Sequence, residues 1–194
     1  MADATAAHLF TSPESSLTPG PLLDLINQAG PGDVILTQQL YEHPFWGATD
    51  SDPTADPNPR LQALIEAARR GASVRIFLDD FFDSAASARS NTITRDYVNG
   101  LAQEQGWDIR VRLGNPTRAG VHAKLHLIAL GERRWTVLGS INGGEVSNKL
   151  NRELAIALES KAAYDFLSGV FWDDWGGVGA TGGSPLLAAD KNPR

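Results

Sequence analysis

Three short apolar runs, Val34-Ile35-Leu36, Ser73 to Leu78 and Ile109 to Leu113, alternate with stretches whose apolar residues recur at helical spacing. This alternation is the tightest constraint on the fold. Neighbouring strands joined through helices require each connection to cross back over the sheet, so the pattern predicts an α/β layer structure, largely parallel, with helices on both faces. The first helix opens at Pro21, places Leu22, Leu25, Ile26 and Ala29 on one side, and stops at Gly30. Asn58 and Pro59 cap a second, with Leu61, Leu64, Ile65 and Ala68 inward, closed by Arg69, Arg70 and Gly71. A third runs from about Thr92 to Gln105 and ends at Gly106. Ser160 caps a last helix with Ala163, Phe166, Leu167, Val170 and Phe171 inward. With 194 residues and 42% hydrophobic content, the chain suffices for one core and is too short for two ordinary domains. Residues 1–20, rich in Ala, Ser, Thr and Pro, read as a lead-in segment that need not be ordered. Residues 21–175 read as the domain, and 176–194 as a Gly-, Ala- and Pro-rich tail or linker.

The chemistry concentrates between Val121 and Glu153. His122 and Lys124 lie two apart in an apolar segment, so on a strand they project from one face and set a nucleophile or base beside a fixed cation. Gly139-Ser140-Ile141-Asn142 offers a backbone that permits close approach, a hydroxyl and an amide. Asn151 and Glu153 follow, again two apart.

His122, Lys124, Gly139, Ser140, Asn142, Asn151 and Glu153 each fall on a position of the pattern His-x-Lys-x4-Asp-x6-Gly-Ser/Thr-x-Asn, followed by Asn-x-Glu. At these residues the sequence resembles the phospholipase D superfamily. The likeness extends over Pro21 to Trp175, including Ala67-Ala68-Arg69-Arg70-Gly71 and the closing Phe171-Trp172-Asp173-Asp174-Trp175. Two departures stand out. Ala129 occupies the position of the motif Asp, and Lys124 to Gly139 spans 15 positions where the pattern spans 12, which places the added length in the hairpin around Leu130 to Arg134.

The resemblance implies a phospholipase D-like mixed sheet and a metal-independent phosphodiesterase, without cofactor, working through a covalent phosphohistidine. His122 would be the nucleophile, with Glu153 as the acceptor that fixes its tautomer. Lys124 and Asn142 would hold the nonbridging oxygens, Ser140 would support that cradle, and Asn151 would help to fix its backbone. The family reaction uses two such motifs, whereas neither His8 nor His43 has a Lys two residues on. A homodimer with its motifs facing across the axis would supply the second, as would another phospholipase D-like half elsewhere. A non-catalytic domain that binds anionic groups or mediates assembly is the alternative class.

Charge and composition narrow the partners. The net charge is -6, yet residues 109–152 carry eight basic side chains against two acidic ones, leaving -12 on the remainder. That distribution suits an anionic phosphodiester, of a phospholipid or a nucleic acid, near the site while disfavouring a long polyanion elsewhere. The absence of cysteine excludes disulfides and thiolate zinc sites. No apolar run approaches a membrane span, and the N-terminus lacks signal-peptide features. Asp50, Asp52 and Asp56 lack the central Gly and terminal Glu of an EF-hand loop. His126 shares the face of His122 but stands about 13 Å along the strand, which points to packing or hydrogen bonding. Phe45, Trp46, Phe81 and Phe82 are candidates for an apolar cleft.

Overall fold

The computed structural model describes residues 4–13, 21–84 and 86–177. Seven strands and five helices follow in the order β1 (Ala6–Ser12), α1 (Pro21–Gln28), β2 (Val34–Gln39), α2 (Pro59–Arg69), β3 (Ser73–Asp79), α3 (Asn91–Gln105), β4 (Ile109–Gly114), β5 (Lys124–Leu130), β6 (Arg133–Gly139), α4 (Glu145–Lys149), β7 (Glu153–Glu159) and α5 (Lys161–Gly177). One sheet orders them β1-β7-β6-β5-β2-β3-β4. Sequence signals set two helix ends as expected, the Asn58 side chain accepting from Arg60 N–H and Gly106 taking φ 70° as a left-handed cap, while the third helix starts one residue before the expected Thr92, capped by Ser90, which accepts from Ile93 N–H.

The sheet is mixed, as the pattern implied, but its balance is not largely parallel. Only β2–β3 and β3–β4 pair parallel, while β2–β5, β5–β6, β6–β7 and β1–β7 are antiparallel. The cause lies at both ends of the chain. Within the lead-in, residues 6–12 form β1 along the edge of β7, where only one neighbour is needed and strong alternation is not. The hairpin differs too. Its turn is only Gly131-Glu132, with Gly131 at φ 56°, so the extra length relative to the motif lies in paired strand and not in a long loop. Residues 14–20 of the lead-in and 178–194 of the tail lie outside the described residues.

Strand alternation divides the core. Ile35, Val74, Ile76, Leu78, Ile128 and Val137 pack under α1, α2 and α3, whereas Leu36, Phe77, Leu125, Leu127 and Ala129 pack under α5. Helices therefore flank both faces. The inward side of α5 is Tyr164, Phe171 and Trp175, while Phe166 and Val170 face outward at 71% and 42% exposure. A helix apolar nearly all round carries too little contrast to fix its rotation from sequence. No helix among the described residues is long and apolar enough to cross a membrane.

Register brings the motif to neighbouring ends of β5, β6 and β7. Gln39 at the end of β2 stands opposite Lys124 at the start of β5, Leu125 opposite Leu138 near the end of β6, Gly139 opposite Ala155, and Ser12 opposite Glu153 at the start of β7.

Candidate active site

His122 lies just before β5, in a segment held by Asp79, whose carboxylate accepts from Val121 N–H at 2.5 Å. The imidazole is exposed and Lys124 is half-buried. The Lys124 ammonium reaches His122 Nδ1 at 3.0 Å and donates to the His122 carbonyl at 2.7 Å. An ammonium has donors only, so Nδ1 is the accepting nitrogen and the neutral ring carries its proton on Nε2. Two of the three Lys124 donors are thus used within the motif. Burial lowers the Lys124 pKa, and the Glu153 carboxylate opposes that shift, which places Glu153 within electrostatic reach of the ammonium.

Glu153 does not hold the His122 ring here; its carboxylate accepts from Asn151 Nδ2 at 3.4 Å. Asn151 is anchored in turn, its N–H to Val146 O at 2.8 Å and its carbonyl to Ser12 Oγ at 3.1 Å. Ser12 also donates to Ser147 O at 2.6 Å, so β1 steadies the approach to β7. The Ser140 hydroxyl accepts from Leu154 N–H at 3.2 Å and faces Leu154 O at 3.4 Å, joining the end of β6 to β7. Gly139 serves the same junction. A Cβ there would stand 2.2 Å from Leu154 O, so what approaches closely at this glycine is the neighbouring strand.

Beneath this exposed layer is a buried polar one that sequence reasoning missed, apart from His126. Arg60 and Glu42, 1% and 0% exposed, form an ion pair at 3.1 Å. Arg60 Nη1 donates to Asn142 O at 2.8 Å and Ile141 O at 3.3 Å, and Nη2 lies 3.1 Å from His126 Nε2. Asn58 Nδ2 reaches Glu42 Oε1 and Gly143 O, and Asn148 Nδ2 reaches the carbonyls of Asn142 and Gly144. Asn142 Oδ1 is buried with no hydrogen-bond partner among the described residues. The signal for Arg60 was its helical phase. It stands four and seven residues before the buried Leu64 and Ala67, at an inward position where an arginine requires partners.

His126 has the hydrogen-bonding role expected of it. Its Nε2 is approached by Arg60 and Gln39 amide nitrogen donors, so Nδ1 carries the proton toward Thr37 Oγ1 at 3.1 Å. Burial and the Arg60 charge push its pKa well below the usual histidine value. Burial of Glu42 raises its pKa against the opposing pull of Arg60 and Asn58.

Other sequence candidates separate in space. Ala129 lies five residues along β5 from Lys124, about 17 Å, and packs in the apolar cluster under α5. The missing carboxylate is therefore remote from His122. The basic run does not form one patch: Arg133 and Arg134 sit at the hairpin end, Arg133 paired with Glu159 and Arg134 over the Tyr164 ring. Lys149 pairs with Glu145. Of the four aromatics, Phe45 and Trp46 are core, whereas Phe81 and Phe82 are exposed, and a Cβ at Gly120 would stand 2.8 Å from the Phe82 ring.

A family model described as "Cardiolipin synthase, PLD-like domain" matches residues 22–175. Nuc from Salmonella typhimurium, a phospholipase D family member, is similar with TM-score 0.62 at 20% identity, over 88% of this chain and 93% of that one. NucT from Helicobacter pylori gives 0.63 at 15%, over 88% and 95%. Phosphatidylserine synthase from Haemophilus influenzae Rd KW20 gives 0.56 at 14%, over 90% of this chain and 38% of that one. At these identities the structural likeness shows the fold. No curated protein matches the sequence.

Proposed function

The chain belongs to the phospholipase D superfamily, and from that membership we propose that it is a metal-independent phosphodiesterase in which His122 attacks phosphorus. The observation that carries this reading is the convergence at neighbouring strand ends of His122 with the Lys124 ammonium, 3.0 Å from its ring, and Glu153 within electrostatic reach of that ammonium. A diester phosphate entering beside Lys124 takes its remaining donor and competes for the one on His122 Nδ1. With Nδ1 released, the ring proton moves from Nε2 to Nδ1, where Glu153 accepts it as a hydrogen bond, and Nε2 becomes the nucleophile. Nε2 bonds to phosphorus, the P–O bond to the leaving group breaks, and a second histidine protonates the departing alkoxide. Water then attacks the phosphohistidine, the same second histidine taking its proton, and His122 is regenerated. Asn142 contributes its amide to the nonbridging oxygens, while Ser140 and Asn151 hold the backbone that carries it.

The second histidine is that of a second copy. One chain carries one motif, and beside it lies a row of apolar side chains across three strands: Leu9, Ile156 and Leu138 in register, with Leu154 next to them. Leu9 and Leu154 are 80% and 61% exposed. Covering this row with its own counterpart about a twofold axis buries it and brings the two motifs to the axis.

Hydrolysis of bis(4-nitrophenyl) phosphate in excess chelator tests the chemistry. Wild type turns over, His122→Ala does not, and wild type quenched in alkaline denaturant carries an acid-labile phosphoryl group on the peptide containing residue 122. Turnover retained by His122→Ala refutes the nucleophile, and turnover abolished by chelator refutes metal independence. Light scattering tests the second copy: a dimer is expected, and a monomer at assay concentration transfers the second motif to another polypeptide.

A further inference from the structure

Beneath the exposed motif, the guanidinium of Arg60 touches both parts from which the phosphate site is made. On one side it reaches β5, through His126 Nε2 at 3.1 Å, two residues after Lys124. On the other it holds the carbonyls of Ile141 and Asn142, at 3.3 and 2.8 Å, in the segment that presents the Asn142 side chain. Arg60 and Lys124 also line the same cavity of about 10 Å³, together with Gly139 and Ile141, so the two residues are neighbours.

We propose that Arg60 is a positioning residue for the phosphate site: it fixes the Ile141–Asn142 backbone against β5 and so sets where the Asn142 amide stands relative to Lys124. The proposal rests on the phosphodiesterase reading of that site.

The chemistry of the pair favours this role over a purely stabilising one. A buried ion pair is weak evidence of stability, because desolvation of both charges offsets their attraction, and apolar side chains of similar volume often serve as well. Apolar side chains, however, cannot bind carbonyls. A guanidinium presents donors in a rigid plane, and here that plane serves two carbonyls, a carboxylate and an imidazole at once. Glu42 sets the plane, since its carboxylate binds Arg60 Nη2 and the Asn58 amide that also holds Gly143 O. Space leaves the arrangement little slack. A Cβ at Gly143 would stand 2.2 Å from the Glu42 carboxylate carbon. A lysine at position 60 retains the charge but carries a single nitrogen, which cannot span the same set.

The test uses the full chain with Arg60→Lys, Asn142→Ala and the double variant, assayed on bis(4-nitrophenyl) phosphate beside thermal melting. Arg60→Lys should lose roughly tenfold to a hundredfold in kcat with KM changed by less than about threefold, because the interaction it disturbs is made with the transition state. If Arg60 acts through Asn142, the double variant loses no more than Asn142→Ala alone. Multiplied losses overturn the proposal. Amide hydrogen exchange supplies a readout independent of turnover: Asn142 to Gly144 should exchange at least about tenfold faster in Arg60→Lys while the β2 and β3 amides keep their protection. Unchanged exchange at Asn142 to Gly144 also overturns it. Faster local exchange in a chain whose wild type hydrolyses nothing supports the clamp and refutes the phosphodiesterase reading instead.

Discussion

The two halves of the sheet are built differently. In β2-β3-β4 the strands are parallel, covered by α2 and α3 on one face and reached by α5 on the other, and Val74, Ile76, Phe77 and Leu78 are 0% exposed. In β5-β6-β7-β1 the strands are antiparallel, and toward β1 one face is open, with Leu9, Leu138 and Leu154 in solvent. The motif residues lie along the edge of this second half, from His122 before β5 to Glu153 at the start of β7. Strands joined by crossover helices acquire their cover from those helices, whereas a hairpin and a short α4 add none of their own, and the cover that α5 gives β5 and β6 runs out toward β1. The first half is a covered scaffold; the second presents an open apolar face beside the motif residues. Damage to the first half should be read in stability, and damage to the second in activity and assembly.

The largest separation is expected from Phe77→Ala. Phe77 contacts the rings of Phe171 and Trp175, and truncation should cost about 3–5 kcal/mol in urea unfolding while kcat of the folded protein is unchanged. The opposite signature belongs to Lys124→Ala, which should lower kcat by about 10²- to 10³-fold at nearly unchanged unfolding midpoint, since the ammonium is half-exposed. A comparable loss of both quantities would erase the distinction between the halves.

A pH titration probes the seam between them. Burial and the nearby Arg89 charge lower the His43 pKa to about 4. The unfolded chain therefore takes up a proton near pH 6.5 that the folded chain refuses, and stability present above pH 6.5 is lost as pH falls toward 4. The full shift corresponds to about 3 kcal/mol. His126 acts with the same sign, so acid sensitivity should persist, reduced, in His43→Gln. A flat unfolding midpoint between pH 7 and 4 contradicts both assignments. The smallest effect on stability is expected from Leu154→Asp, within about 0.5 kcal/mol because the side chain is exposed. Its consequence is dissociation in light scattering and loss of turnover at concentrations where wild type is dimeric. A stable, active dimer of this variant would place the interface elsewhere.

Much of this was legible without coordinates. Helix caps at Asn58, Gly106 and Ser160 act through atoms a few residues apart, and Ser160 does accept from Ala163 N–H at 3.2 Å. Residues His122, Lys124, Gly139, Ser140, Asn142, Asn151 and Glu153 stood out by their match to the superfamily motif, and the fold sets them at neighbouring ends of β5, β6 and β7. β1 escaped notice because an edge strand with Phe10 and Ser12 as its buried side chains has almost no periodic signal. The basic run dispersed because successive residues of a hairpin travel to opposite ends of the strands.

The sequence by itself determined the alternation of strands and helices, most of the caps that end them and the motif residues on which the resemblance to the superfamily rests, since each depends on residues near in the chain. Only the tertiary structure decided that Glu42, Arg60 and His126, from β2's exit, α2 and β5, share one buried network under Asn142. Only it decided that Ser140 ties β6 to β7, and that Leu9 and Leu138 complete one apolar row. The row closes through Ile156, which pairs with Leu9 147 positions away, and no local propensity encodes which distant strand a side chain will meet.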